Sequence, residues 1–255
     1  MTRAFLSGVR IHFLLLSRSS FDLATIFVWP LIFATIAYYL YGVRADPRVL
    51  MSATLGASMM AIWSSVVIGA SGALELQRWS GTLELLVAAP VPTLVALAPI
   101  TTAASVVGVY SLGATLLWGR LAFGIPLHYA HPLLFLVSFA IALVALGMLG
   151  LVVASTFVLY RAAVFLGFAL QNPVYLATGL LVPLTLLPAW VTPISWLLAP
   201  TWAIRALRGA ALGGGSVGHD LALCVATGGA YLAISFVMLR VFETLARQRA
   251  TLPLA

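Results

Sequence analysis

Apolar residues run through this chain in long blocks, separated by short breaks rich in proline, glycine and polar residues. A helix that crosses a bilayer needs about 20 mostly apolar residues. Six blocks reach that length, at about 21–42, 50–72, 94–118, 133–160, 162–187 and 221–242. The pattern predicts an all-α polytopic membrane protein with six transmembrane helices, forming a single unit over 1–255. Residues 1–20 differ. Arg3, Arg10 and Ser17 recur every seven positions with Ser7 beside them, while Val9, Phe13 and Leu16 share another side. That arrangement predicts an amphipathic helix lying in the membrane interface, the alternative being a frayed end with incidental periodicity. Ser19 and Asp22 have the spacing of a capping box, which starts the first span there. The first apolar block is too long for a signal-peptide core and no small-residue cleavage site follows it, so no cleaved leader is expected. Two connections, 73–93 and 188–220, are too long for simple turns and should carry structure or function of their own. In the second, Trp196-Leu197-Leu198 is apolar but far too short to span.

Composition sharpens this picture. Hydrophobic residues make up 63% of the chain and charged ones 7%, with a mean hydropathy of +1.12. Soluble domains carry about 25% charged residues, and disordered chains lack such apolar content. Both classes are excluded. All 13 basic residues are arginine. Without lysine the chain holds neither a Walker A phosphate loop nor a Schiff-base nucleophile. The net charge of +7 comes from arginines scattered singly, which fits membrane faces rather than nucleic acid. Placing the N-terminus inside puts Arg3, Arg10, Arg18, Arg78, Arg161, Arg240, Arg247 and Arg249 on the cytoplasmic side. Arg44, Arg48, Arg120, Arg205 and Arg208 then lie outside, which favours both termini in the cytoplasm. Cys224 is the only cysteine, so an internal disulfide is excluded. His128 and His131 lack neighbouring acids or thiols, so no metal site is expected. Asp22 and Asp220 stand near helix starts, where capping accounts for them.

Two polar interruptions are candidates for function. After Glu75, Gln77 and Arg78, the chain breaks at Gly81. A short helix from about Thr82 to Ala89 is then stopped by Pro90 and Pro92. Such a helix is suited to docking in a partner's groove; a plain solvated hairpin is the other reading. In the fifth block, Gln171-Asn172-Pro173 places two amides and a helix breaker deep in apolar sequence, with Tyr175 expected on the Asn172 face. Unpaired amides in hydrocarbon are costly, so these side chains face cargo or water, or they bond between helices beside a packed proline kink. Trp63, Ser64 and Ser65 of the second block admit the same two readings.

The run Gly81-Thr82-Leu83-Glu84-Leu85-Leu86, followed by Ala89-Pro90-Val91, resembles the signature of ABC-2 type transporter permeases. In that family it forms a coupling helix that contacts a separate nucleotide-binding subunit. The resemblance implies coupling roles for Glu75, Arg78, Gly81, Thr82, Glu84 and Pro90. Gln77 stands where such permeases often carry another acid. Leu187-Pro188-Ala189-Trp190, continuing through Ala199-Pro200-Thr201-Trp202-Ala203-Ile204-Arg205-Ala206-Leu207-Arg208, is similar to the family's outer segment of short re-entrant helices. The resemblance covers essentially the whole chain.

What it implies is a transport subunit in a bacterial inner membrane with no catalytic residue and no cofactor of its own. ATP and Mg would sit on an ABC ATPase present in two copies. A second permease subunit, identical or not, would complete a path lined by the second and fifth spans, including Trp63, Ser64, Gln171, Asn172 and Tyr175. The implied activity is export of a hydrophobic or amphipathic substrate (a drug, antibiotic or lipid), as in multidrug efflux. A lipid-linked glycan or polysaccharide is the alternative. An ion-coupled transporter or a membrane-embedded enzyme would need ionisable groups within the spans, and the sequence offers none.

Overall fold

The computed structural model describes residues 2–18, 20–42, 46–81, 93–127, 129–159 and 163–249. Among them all regular structure is helical. An N-terminal helix α1 (Thr2–Arg18) leads into α2 (Ser20–Tyr41) and α3 (Pro47–Trp79). Then come α4 (Thr93–Phe123), α5 (Pro132–Leu159) and α6 (Ala163–Ala177). A 3₁₀ turn at Leu184–Leu186 and the short α7 (Val191–Trp196) precede α8 (Ala199–Leu212) and the long α9 (Val217–Arg249).

Local chemistry sets several of these boundaries. Asp46 accepts the Arg48 amide at 2.8 Å on its side chain, and Pro47 follows in the first helical turn, where its missing N–H costs nothing. At the other end of α3, Gly81 takes φ +67, a left-handed turn that glycine adopts without strain. At the end of α4 the amides of Gly124 and Ile125 return to the carbonyls of Arg120 and Gly119 at 3.0 and 3.2 Å.

Among the described residues four helical stretches are long and apolar enough to cross a bilayer: Pro47–Glu75, Thr93–Phe123, Pro132–Phe157 and Val217–Val241. The expected first span is represented by the shorter apolar stretch Phe27–Tyr41. The expected fifth span, 162–187, is corrected. Its helix α6 stops at Ala177 after 15 residues, about 22 Å at 1.5 Å per residue. Gly179 then takes φ +74, and Pro183 and Pro188 deny the helix two amide donors. The apolar sequence continues past the turn, which is why hydropathy alone runs the helix ten residues too far.

Cross-helix contacts gather one set of helix ends. Trp118 Nε1 donates to Thr35 Oγ1 at 3.0 Å, and Tyr38 stacks on Phe123 at 4.0 Å between ring centroids. The Ala130 amide donates to Ala211 O at 2.9 Å, and Tyr231 Oη donates to Leu197 O. The C-termini of α2, α4 and α6 and the N-termini of α3, α5 and α9 therefore meet at one end, with α7 and α8 there. Within 188–220 the chain forms α7 and α8. At the opposite end α1 packs on the start of α4, where Gly8 lies against Pro99.

The centre of the bundle is α3, which packs against α2, α4, α5, α6 and α8. Its Leu55, Met59, Ile62, Trp63, Val66 and Leu74 are sealed from solvent. By contrast α9 packs mainly on α5 and α8 and leaves a broad apolar face outward. Helices in lipid gain little by hiding apolar groups from one another, so close packing through small residues matters more. Gly56 illustrates it: a β-carbon there would lie 2.2 Å from Leu180 O.

The same end is held by one arginine. Arg208 of α8 donates from Nε to Ser52 O at 3.3 Å, from Nη1 to Gly179 O at 3.0 Å and from Nη2 to Leu180 O at 3.5 Å. Tyr41 Oη donates to the next carbonyl, Leu181 O, at 2.9 Å. The turn that ends α6 thus has its carbonyls satisfied by side chains from α8 and α2. A guanidinium stays charged at neutral pH even when partly buried.

Two outcomes follow. Gly56→Ala should destabilise the detergent-solubilised protein by about 2 kcal/mol, because the added carbon meets backbone. Gly113→Ala, with no atom within 4 Å of the new carbon, should leave thermal unfolding unchanged or raise its midpoint. Arg208→Met should cost about 3 kcal/mol by stranding buried carbonyls. Arg120→Met, at an exposed arginine of the same end, should cost no more than about 0.5 kcal/mol.

Candidate functional site

Most buried hydroxyls of this bundle are satisfied within their own helices. Thr54 donates to Leu50 O, Ser105 to Thr101 O and Ser138 to Leu134 O, each at 2.7–2.8 Å and one turn back. Such bonds need no partner helix and mark no path. The group on α3 and α6 is different. Gln171 Nε2 donates to Ser64 Oγ at 2.9 Å and to Tyr175 Oη at 2.7 Å. Tyr175 Oη donates in turn to Met60 O at 3.1 Å. Because Tyr175 uses its proton on Met60 O, its oxygen accepts from Gln171, which sets the amide orientation.

This knot joins α3 to α6 across a sequence separation of more than 100 residues. Ser64, Gln171 and Tyr175 are all buried. Gln171 Oε1 and the nearby-in-sequence Trp63 Nε1 are buried without a hydrogen-bond partner among the described residues. Of the two readings the residues allow, the interhelical bond is present for Gln171, Ser64 and Tyr175.

Asn172 stands apart. It is exposed, on the side of α6 that also presents Phe165, Phe168 and Leu176. Tyr175 pairs with Gln171 four residues before it, and the expected pairing with the Asn172 face is corrected. Positions i and i+4 are separated by about 40° around a helix and i and i+3 by about 60°, and packing on α3 selects the first. α6 therefore has an inward polar face and an outward face carrying one amide among aromatics.

The residues for which coupling roles are expected belong to the other end. Glu75 is half-buried on the last turns of α3, and Gly81 is exposed in its left-handed turn, with nothing among the described residues within 4 Å of where a β-carbon would stand. Arg78 belongs to the last turn of α3, while its side chain lies outside the described residues. Thr82, Glu84 and Pro90, with the short helix expected over 82–89, also lie outside them.

At the α8 end a second polar cluster joins α8 to α9. Asp220 is 4% exposed and lies 3.4 Å from Arg205 Nε, while Arg205 sits 5.1 Å over the Trp202 ring. Asp220 occupies the first turn of α9, where a carboxylate is favoured by the helix dipole. No three His, Cys, Asp or Glu side chains gather as a metal set among the described residues.

Sequence reasoning placed Arg208 among the outer charges and in the outer segment. The clamp that it forms with Tyr41 on the end of α6 was missed. The available signal was the pair Arg205 and Arg208, three positions apart on a helix whose other face is buried.

The family model of the ABC-2 type transporter matches residues 1–212, which span α1 through α8, including the 73–93 segment, the α3–α6 knot and Arg208. No curated protein matches the chain. With a family model covering most of its length and four described helices long and apolar enough to cross a membrane, the chain belongs to the ABC-2 type transporter family and is the membrane component of an ABC transporter.

Proposed function

We propose that the protein is the permease subunit of an ATP-driven exporter, with six spans, both termini in the cytoplasm of a bacterial cell and a substrate that is hydrophobic or amphipathic. The observation that carries this reading is the two-sidedness of α6. Its inner face is tied to α3 by Gln171 and Tyr175, while Asn172 faces outward among Phe165, Phe168 and Leu176. An amide held against lipid loses its hydrogen bonds at a cost of several kcal/mol, on the order of 4 or more in pure hydrocarbon. A second permease copy, with the path between the two, gives that amide water and cargo. The aromatic neighbours suit an apolar or amphipathic molecule such as a drug, an antibiotic or a lipid. They offer few of the hydrogen bonds that a glycan would need.

The driving force comes from elsewhere. Two copies of an ABC ATPase hold the ATP and Mg, and their closure moves the 73–93 segment. α3 then carries that motion, because a single helix of 33 residues links Gly81 to Ser64 and Met60 and beyond them to Ser52 under Arg208. A rigid helix transmits rigid-body motion without loss. On this reading Gln171, Ser64 and Tyr175 couple α6 to the lever, and Asn172 is the residue of the five that faces the path. Trp63 lies on the lever itself, buried in the bundle core.

The test is purification of the tagged chain from native membranes, with partners identified and counted by mass spectrometry. A stoichiometric Walker A ATPase is expected, and Glu84→Arg should remove it. Gly81→Pro should leave the chain inserted and the ATPase bound, while substrate-stimulated ATP hydrolysis drops by about tenfold or more. Wild-type stimulation in both variants would refute the coupling role of this segment. One permease species in the purified complex would indicate a homodimer and two a heterodimer.

A further inference from the structure

Arg120 is the one charged residue of α4. A guanidinium near the end of an apolar helix reaches to headgroup level, so Arg120 fixes the depth of its neighbours. From Arg120 back to Tyr110 the helix descends about 15 Å. That is the hydrocarbon of one leaflet, half of a core about 30 Å thick. Over this depth the surface of the bundle is concave. A cavity of about 650 Å³ is lined by Tyr110, Leu117 and Leu121 of α4, by Leu31 of α2, and by Leu127 and Tyr129 of the α4–α5 connection.

The walls of this cavity are held in place. Trp118, which also lines it, is bonded to Thr35 of α2. Tyr129 packs on Phe135 with ring centroids 4.8 Å apart, and Tyr110 meets Phe27 edge-on at 4.7 Å. Gly113 keeps the space open, since no described atom lies within 4 Å of where a β-carbon would stand. The lining is almost wholly apolar. Such a space rejects water and accepts apolar groups, and its volume is in the range of ligand pockets. Arg120 follows Leu116 and Leu117, both in the lining, at i+4 and i+3, which puts it on the flank of the same helix face. Its guanidinium is exposed and has no ion pair or hydrogen bond among the described residues.

We infer that this cavity is a binding site for a membrane glycerophospholipid of the leaflet at the α8 end, with one acyl chain lying against α4 and the phosphate meeting Arg120. The inference goes beyond the permease reading and needs only that the chain sits in a bilayer. A phospholipid matches the site in two respects at once. Its apolar part has the depth of one leaflet, and its anion falls at headgroup level, where a guanidinium binds phosphate through charge-assisted hydrogen bonds. Cargo is a poorer fit, because the proposed path follows α6, and α6 packs on α3 rather than on α4. A bound acyl chain fills space between α2, α4 and the α4–α5 connection that would otherwise lack packing contacts.

The experiment titrates the purified full chain, in mild detergent, with phosphatidylglycerol and counts bound lipid by native mass spectrometry. One phospholipid per chain should survive detergent exchange. Gly113→Trp, which puts an indole into the cavity, should weaken binding by about tenfold or more. Arg120→Met should weaken it by about fivefold. Gly229→Trp, at an exposed glycine of α9 with similar open space, should leave it unchanged. Unchanged binding in Gly113→Trp or Arg120→Met overturns the inference, as does an equal loss in Gly229→Trp. A second measurement uses the unmutated chain in vesicles containing phosphatidylglycerol with a photoreactive diazirine in its acyl chain. Label is expected on the peptides carrying Leu117, Leu121 and Tyr129. Label confined to other helices, as when cargo or a second copy of this chain covers the cavity, overturns the inference and leaves the permease reading untouched.

Discussion

The architecture at the α8 end depends on one constraint: a backbone that stops being helical at membrane depth must find donors for its freed carbonyls. α6 ends at Ala177, and the carbonyls of Gly179, Leu180 and Leu181 come after its last turn. Arg208 and Tyr41 supply the donors. A guanidinium is suited to this place because it presents several N–H groups in a fixed fork and stays charged. The C-terminal end of a helix also carries the negative pole of its dipole. Meeting the constraint fixes much else. α8 must lie across α3 for Arg208 to reach Ser52 O as well. α3 must approach the turn closely enough that only glycine fits at position 56.

This clamp and the Gln171–Tyr175 knot lie on the same helix. From Ser52 to Ser64 α3 rises about 18 Å, and over that distance it is bonded to the end of α6 through Arg208 and to the middle of α6 directly. The two helices are thus pinned together at two heights, with Gly167 against Ser71 and Val67 giving a third close approach. α6 has few other neighbours in the chain. Displacing α3 therefore carries α6 with it, and whatever covers the outward Asn172 face feels the motion. Hydroxyls elsewhere in the bundle, bonded back to their own helices, exert no such hold between elements.

How much of this the sequence reveals depends on whether a feature is local. The blocks of apolar sequence mark where helices lie, since backbone in lipid has few alternatives to helix. Gly81 reads as a break because that rests on chemistry within a few residues. The end of α6 was not legible. Leu180, Leu181 and Val182 are as apolar as a span, and the turn is stabilised by Arg208, 28 residues away. The faces of α6 were not legible either. Gln171 and Asn172 are adjacent amides of similar character, and only the position of Ser64 and Met60 on a distant helix decides which turns inward.

The same distinction bears on topology. Counting arginines gives eight at one end and five at the other, a modest excess when each is treated as a free charge. They are not equivalent. Arg208 is committed to three backbone carbonyls and is half-buried, and Arg205 lies against Asp220 and the Trp202 ring. Both are structural parts of the α8 end. The positive-inside effect acts on basic residues that must be kept from crossing, and a guanidinium bonded into the fold owes its place to those contacts as well.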